Sequence, residues 1–197
     1  MAQAVEVTQQ DFGCLKDMTA VKHFYVDNVL GDLNATVAVA QSSQGGEYPV
    51  GSLLQQTPTE AMLKRESGFN PDTNDWEFLT LRQDSGGNQD LRNKNVNVSF
   101  LITQRGGAEV TNANGQSCAT CHSAAPEQWD MTCGNHFECS QLATTRREMR
   151  VSVFTDPRCS DKPWTAQEKS DMFYHQHELA RDLKQEMQSL ELIEPSE

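Results

Sequence analysis

Cys118, Ala119, Thr120, Cys121 and His122 stand in a row, and C-x-x-C-H is the spacing that lets a chain hold a haem covalently and ligate its iron. Two thiols three positions apart can each form a thioether with one haem vinyl group. The imidazole of the next residue then meets the iron from the proximal side. One turn of chain supplies both anchor and ligand. The expectation is one haem c, attached through Cys118 and Cys121, with His122 as the metal ligand. Three other chemistries use similar residues: a plain disulfide, a redox-active thiol pair, and a zinc site built from Cys118, Cys121, Cys133 and Cys139. The redox pair would want a β-strand leading into it, whereas Asn114-Gly115-Gln116-Ser117 is a polar turn. The zinc site leaves His122 without a role.

What a haem protein does depends on the face of the iron opposite its proximal ligand, where axial occupancy, polarity and access choose between electron transfer and small-ligand chemistry. Met18, His23, Met62, Met131, His136, His175 and His177 are the side chains that could take the sixth position, and no spacing singles one out. Met62 falls in an apolar run and reads as core; His175 and His177 fall on a terminal helix and read as exposed. Phe24, Phe69, Trp76 and Phe78 could form an apolar cap over a vacant position instead.

The elements that must carry these residues are mostly strands. An amphipathic stretch around Leu15 to Leu30 reads as one or two helical turns followed by a strand. Short β-like runs follow at Val50 to Gln56, Ala61 to Arg65, Trp76 to Leu81 and Val96 to Thr103, separated by turn-rich segments such as Asn70-Pro71-Asp72-Thr73-Asn74-Asp75. Alternation in Trp76 to Leu81 sets Trp76 and Phe78 on one face and Leu79 and Leu81 on the other. After the haem peptide the chain is polar and proline-bearing until Thr165-Ala166-Gln167-Glu168, a capping box that opens a final helix. Met172, Leu179, Leu183, Leu190 and Ile193 lie near heptad spacing along it, a stripe expected to pack on its own domain. The fold class expected is α+β: a mainly antiparallel β-sheet domain with flanking helices, one c-type haem and a long C-terminal helix. Residues 1–139 form the haem-binding β domain and residues 140–197 a C-terminal extension with its helix at about 165–193.

Composition bounds the rest. With 197 residues the chain is long enough to bury a core, and no run approaches the ~20 apolar residues that span a bilayer. A net charge of -12, from 16 basic and 28 acidic side chains, excludes nucleic acid as a partner. Six cysteines less the two haem thiols leave four, which suits two disulfides and an oxidising compartment. Cys133 with Cys139 closes a short loop; Cys14 with Cys159 closes a long one, worth about 4 kcal/mol in the chain-entropy model. Haem attachment to this motif takes place outside the cytoplasm, so a periplasmic or otherwise exported protein is expected, although Met1-Ala2-Gln3-Ala4-Val5-Glu6 has neither the basic nor the apolar region of a secretory signal.

Tyr48-Pro49-Val50-Gly51-Ser52-Leu53-Leu54, Glu60-Ala61-Met62-Leu63-Lys64-Arg65 and Gly68-Phe69-Asn70-Pro71-Asp72-Thr73-Asn74-Asp75-Trp76-Glu77-Phe78, followed downstream by Cys118 to His122, resemble the cytochrome P-460 and cytochrome c′-beta superfamily. The similarity runs over roughly residues 12–135. It implies an antiparallel β domain, often dimeric, with His122 as proximal ligand and an open or sterically capped distal side.

Some members of that superfamily carry a lysine cross-link to the porphyrin and oxidise hydroxylamine, whereas others lack it and bind nitric oxide or related diatomics. The cross-linking position is matched here by Gln55 and Gln56. Lys64, the next lysine along, reads as a solvated strand residue, and Lys22 falls where some relatives place a distal basic side chain. The function expected is therefore a monohaem c-type cytochrome that binds a small diatomic such as nitric oxide at five-coordinate iron. The alternatives are a six-coordinate electron-transfer cytochrome, working with a redox partner protein within a homodimer or larger cytochrome assembly, and a hydroxylamine-oxidising haem enzyme.

Overall fold

A computed structural model describes residues 5–21, 24–84, 100–112, 114–133, 151–153, 156–159 and 161–189. The fold is α+β, built on a six-stranded antiparallel sheet whose spatial order follows the sequence. Its strands are β1 (Thr19–Val21), β2 (Phe24–Asn28), β3 (Ser52–Thr57), β4 (Glu60–Lys64), β5 (Trp76–Gln83) and β6 (Phe100–Gly106). Helices accompany them, among these α1 (Leu33–Gln41), α2 (Cys118–His122) and α3 (Ala166–Ser189); residues 151–153 are helical as well.

Both faces of the sheet are covered, so its central strands read as apolar runs rather than as strict alternation. Val26, Leu54, Met62 and Phe78 pair across four strands in one row. They belong to a cluster with Phe24, Tyr48, Trp76, Val110 and Ala119, against which α1 and α2 pack; this is the site face. On the far face Leu53, Ala61, Leu63, Leu79 and Leu81 are covered by Val5, Val7 and Phe12 of the N-terminal segment. Trp76 and Phe78 therefore separate from Leu79 and Leu81 as strand periodicity requires.

The stretch from Leu15 begins with a 3-10 turn, Leu15–Asp17, and continues as the β1–β2 hairpin. Helix α1 has no counterpart in the sequence reading. Its signal is Asp32, whose carboxylate accepts from the Ala35 amide, ahead of a run rich in alanine. Strand β6 takes up the last run from Phe100 onward; residues 96–99 lie outside the described residues.

Cys14 and Cys159 are joined by a disulfide, tying the N-terminal cover of the far face to the chain beyond the C-x-x-C-H residues. Cys133 is disulfide-bonded as well; Cys139 lies outside the described residues. Helix α3 starts with the reciprocal cap that Thr165-Ala166-Gln167-Glu168 encodes: the Thr165 amide donates to Glu168 Oε2 at 2.6 Å and the Glu168 amide to Thr165 Oγ1 at 3.2 Å. Of the stripe beyond it, Leu179 and Leu183 are 56% and 57% exposed, Met172 is half-buried, and Leu190 and Ile193 lie outside the described residues; Lys16 and Glu168, at 2.8 Å, tie the first turn of α3 to the N-terminal segment. Among the described residues no helix is long and apolar enough to cross a membrane.

Candidate functional site

The C-x-x-C-H residues form a helix of five residues, α2. Its start is fixed by Ser117, whose hydroxyl accepts from the Thr120 amide at 3.3 Å and donates to the Ala108 carbonyl at 2.9 Å. The Cys118 amide donates to the Val110 carbonyl at 3.0 Å. Both contacts lie in the chain that leaves β6, so the sheet itself places the motif. Ala119 is buried against the site-face cluster, and Cys118 is packed at its margin. Cys121 is exposed, and neither thiol is paired.

Burial pushes the Cys118 thiol up to about 11, and the carboxylate of Glu60 adds to the shift. A thiol held protonated at neutral pH lacks the low pKa that makes a dithiol motif redox-active. The zinc site loses one of its thiolates to the Cys133 disulfide. Among the described residues no group of three or more His, Cys, Asp or Glu side chains is placed to hold a metal ion.

His122 is the best-determined member of the site. Its Nδ1 lies 2.8 Å from the carbonyl oxygen of Met131. A carbonyl can only accept, so Nδ1 carries the proton and the lone pair is on Nε2. Burial lowers the imidazole's pKa, with the Met131 bond opposing, so that the neutral, ligating form is favoured. The ring of Phe78 packs against it with centroids 5.3 Å apart, and Cys133 Sγ lies 3.6 Å from Nδ1.

The structure brings together four further residues singled out from sequence: Phe24, Met62, Trp76 and Phe78 all belong to the cluster that receives Ala119 and Cys118. Phe69 does not; it is partly exposed under the guanidinium of Arg65, 4.5 Å from its ring centroid. Met18 packs in the far-face clusters. Met131 sits beside the imidazole, its carbonyl already engaged. His175 and His177 are on α3, half-buried and exposed respectively. Lys22, His23 and His136 lie outside the described residues.

Of the two glutamines singled out on β3, Gln55 shares the far face with Leu53 and Ala61, and its amide donates to the carbonyls of Thr57 and Glu60, both at 3.4 Å. Gln56 is half-buried at the bulge between Gln55 and Thr57. Lys64 is not solvated. Its side chain is 3% exposed and its ammonium donates to both carboxylate oxygens of Asp130, at 2.8 and 2.9 Å. It sits on the site face because it alternates with Met62.

Asp130 and Glu60 were not legible as site residues. Asp130 is buried beneath the loop after α2, with no motif to mark it, and Glu60 closes the Thr57-Pro58-Thr59 turn, where a carboxylate looks like ordinary surface. Burial raises the Glu60 pKa. No protein-family model matches the chain, and neither a curated protein nor a solved structure does.

Proposed function

We propose that this chain is a monohaem c-type cytochrome of the cytochrome P-460 and c′-beta type, holding one haem c through Cys118 and Cys121 with His122 as the proximal ligand. The observation that carries the reading is the state of His122. Its Nδ1–H is committed to a backbone carbonyl, its Nε2 keeps a lone pair, and it shares one short helix with two unpaired thiols. Metal-ligating histidines are oriented in this way, by a hydrogen bond from the second ring nitrogen. The donor set therefore fits a covalently attached haem. The group would supply the iron at which a ligand binds; the chain supplies its anchor, its proximal base and an apolar wall.

That wall favours a small-ligand protein. Phe24, Leu54 and Met62 line the site face, and an apolar, water-poor surface suits an uncharged diatomic such as nitric oxide. Phe78, in contact with the imidazole, serves the proximal side. Gln55 and Gln56 in place of a cross-linking lysine argue against hydroxylamine oxidation. A second reading, electron transfer with six-coordinate iron, is favoured by one placement: Met62 shares the cluster with Cys118, whereas Met18, His175 and His177 do not. The two disulfide-bonded segments accord with an exported, periplasmic protein.

The deciding measurement is the absorption spectrum of the reduced protein with and without nitric oxide. A five-coordinate, high-spin spectrum that changes on adding nitric oxide is expected. A low-spin spectrum that ignores it would assign the protein to electron transfer, and Met62→Ala would then convert it to high spin. Mass spectrometry of the peptide containing Cys118 and Cys121 should show two thioethers and no third attachment.

A further inference from the structure

The chain after α2 does something unusual at Asp130 and Met131. Both take left-handed backbone angles, φ +47° and +57°, a conformation that costs a residue with a Cβ of order 1 kcal/mol or more and persists only where the surroundings over-determine it. Here they do. The Asp130 carboxylate receives Lys64 Nζ at 2.8 and 2.9 Å, the Tyr48 amide at 2.8 Å, and the side-chain amide of Asn74. The Asp130 carbonyl receives the indole N–H of Trp76 at 2.8 Å. Lys64 Nζ also donates to the Asn74 carbonyl at 2.8 Å and lies 5.3 Å from the centre of the Trp76 ring. Every one of these partners comes from the sheet or its loops, and Lys64 and Trp76 are cross-strand neighbours. The loop is held from the other side too: the Gly46 amide donates to the Gln128 carbonyl at 2.9 Å, and a Cβ on Gly45 would fall 2.0 Å from that same oxygen.

The residue aimed by this arrangement is Met131, whose carbonyl takes the Nδ1 proton of His122. We infer that Lys64 and Asp130 are positioning residues for the proximal ligand: the buried ion pair locks the left-handed turn so that the Met131 carbonyl sets the orientation and basicity of His122. The inference rests on the haem reading and adds to it a determinant of iron chemistry on β4. A firm acceptor at Nδ1–H makes the imidazole a stronger donor to iron and lowers the reduction potential. Loosening the turn weakens that acceptor.

The test uses the haem-loaded full chain, with resonance Raman spectroscopy of the ferrous iron–histidine stretch and a redox titration. Asp130→Asn and Lys64→Met are expected to shift the stretch to lower frequency and raise the potential, and Lys64→Arg to recover most of both. Asn74→Gly keeps a left-handed position (φ +49°) while removing one donor to Asp130, so it reads the same signals if the charge variants fail to fold; a smaller shift in the same direction is expected. Unchanged stretch and potential in Asn74→Gly and in whichever charge variants fold would overturn the positioning role while leaving the haem protein intact. Wild-type protein that takes up no haem would instead overturn the reading beneath it.

Discussion

Lys64 and Arg65 are consecutive cations at the end of one strand, and each finds a buried carboxylate, but on opposite faces of the sheet. Arg65 reaches Glu77 at 2.5 Å, a residue on the adjacent strand and only 12 positions away. Arg105 of β6 joins at 2.6 Å and also donates to the Val7 carbonyl. The far-face cluster thus links neighbouring strands and clips on the N-terminal cover; it is sheet architecture. Lys64 reaches Asp130 across 66 positions, and its carboxylate sits on a strained turn next to the acceptor of His122. A buried pair is weak evidence for stability in itself, since desolvation offsets much of its Coulombic gain. What distinguishes the two is what each holds: the far-face pair holds strands that would pair anyway, while the site-face pair, together with the Tyr48 amide, Asn74 and Trp76, holds a loop in left-handed backbone angles.

The contrast can be broken from the far side. The largest effect is expected from Cys14→Ala with Cys159→Ala, which frees the N-terminal cover; the chain-entropy model gives a loss of about 4 kcal/mol in unfolding free energy, measured by denaturant titration. Haem attachment and the iron–histidine stretch should survive in whatever fraction folds. A shifted stretch would show that far-face cover and proximal site form a single cooperative unit. Next is Glu77→Gln, which leaves two arginines around an uncharged amide, one buried and one 40% exposed. Removing one partner of a buried pair costs about 3 kcal/mol. Here too the stretch should stay fixed, and Asp130→Asn, with comparable destabilisation, should move it. That crossing of the two readouts separates a structural pair from a positioning one.

Much of the sheet was legible because strand breaks were marked by Pro, Asn and Asp, and the Trp76 to Leu81 alternation assigned both faces correctly. The C-x-x-C-H pattern was legible because it is local: two thiols and an imidazole fall within one short helix. The network behind it was hidden for the opposite reason. Nothing near Lys64 in sequence marks it as buried, and its partner lies beyond two intervening strands. A lysine flanked by Leu63 and Arg65 looks like an edge-of-strand residue until the fold brings Asp130 over it. Helix α1 was lost because Thr36, Val37 and Val39 dilute its helical signal, although Asp32 marks its start. On α3 the exposed Leu179 and Leu183 show that heptad spacing reports an apolar face and says nothing of what covers it.

The smallest effect concerns how the far-face cover is fastened to α3. The 3-10 turn that packs Leu15 beneath Tyr25 also presents Lys16 to Glu168 at 2.8 Å and Asp17 to Lys162 at 2.7 Å. Burial works against ionised Glu168, but the Lys16 ammonium and the hydrogen bonds with Thr165 outweigh it and hold the carboxyl below its ordinary 4.5. The folded protein therefore binds fewer protons than the unfolded chain between the two values, so this contribution is complete above pH 4.5 and is lost as pH falls through the lowered one. Amide protection at Glu168 and Lys169, relative to the strands, should fall in that window, and in Glu168→Gln the fall should be absent. Thr165→Ala should cost about 1 kcal/mol at neutral pH through the lost cap. Neither change should alter the iron–histidine stretch, because the cap faces Lys16, whereas the turn at Asp130 and Met131 is held by Lys64, Asn74, Trp76, Tyr48 and Gly46.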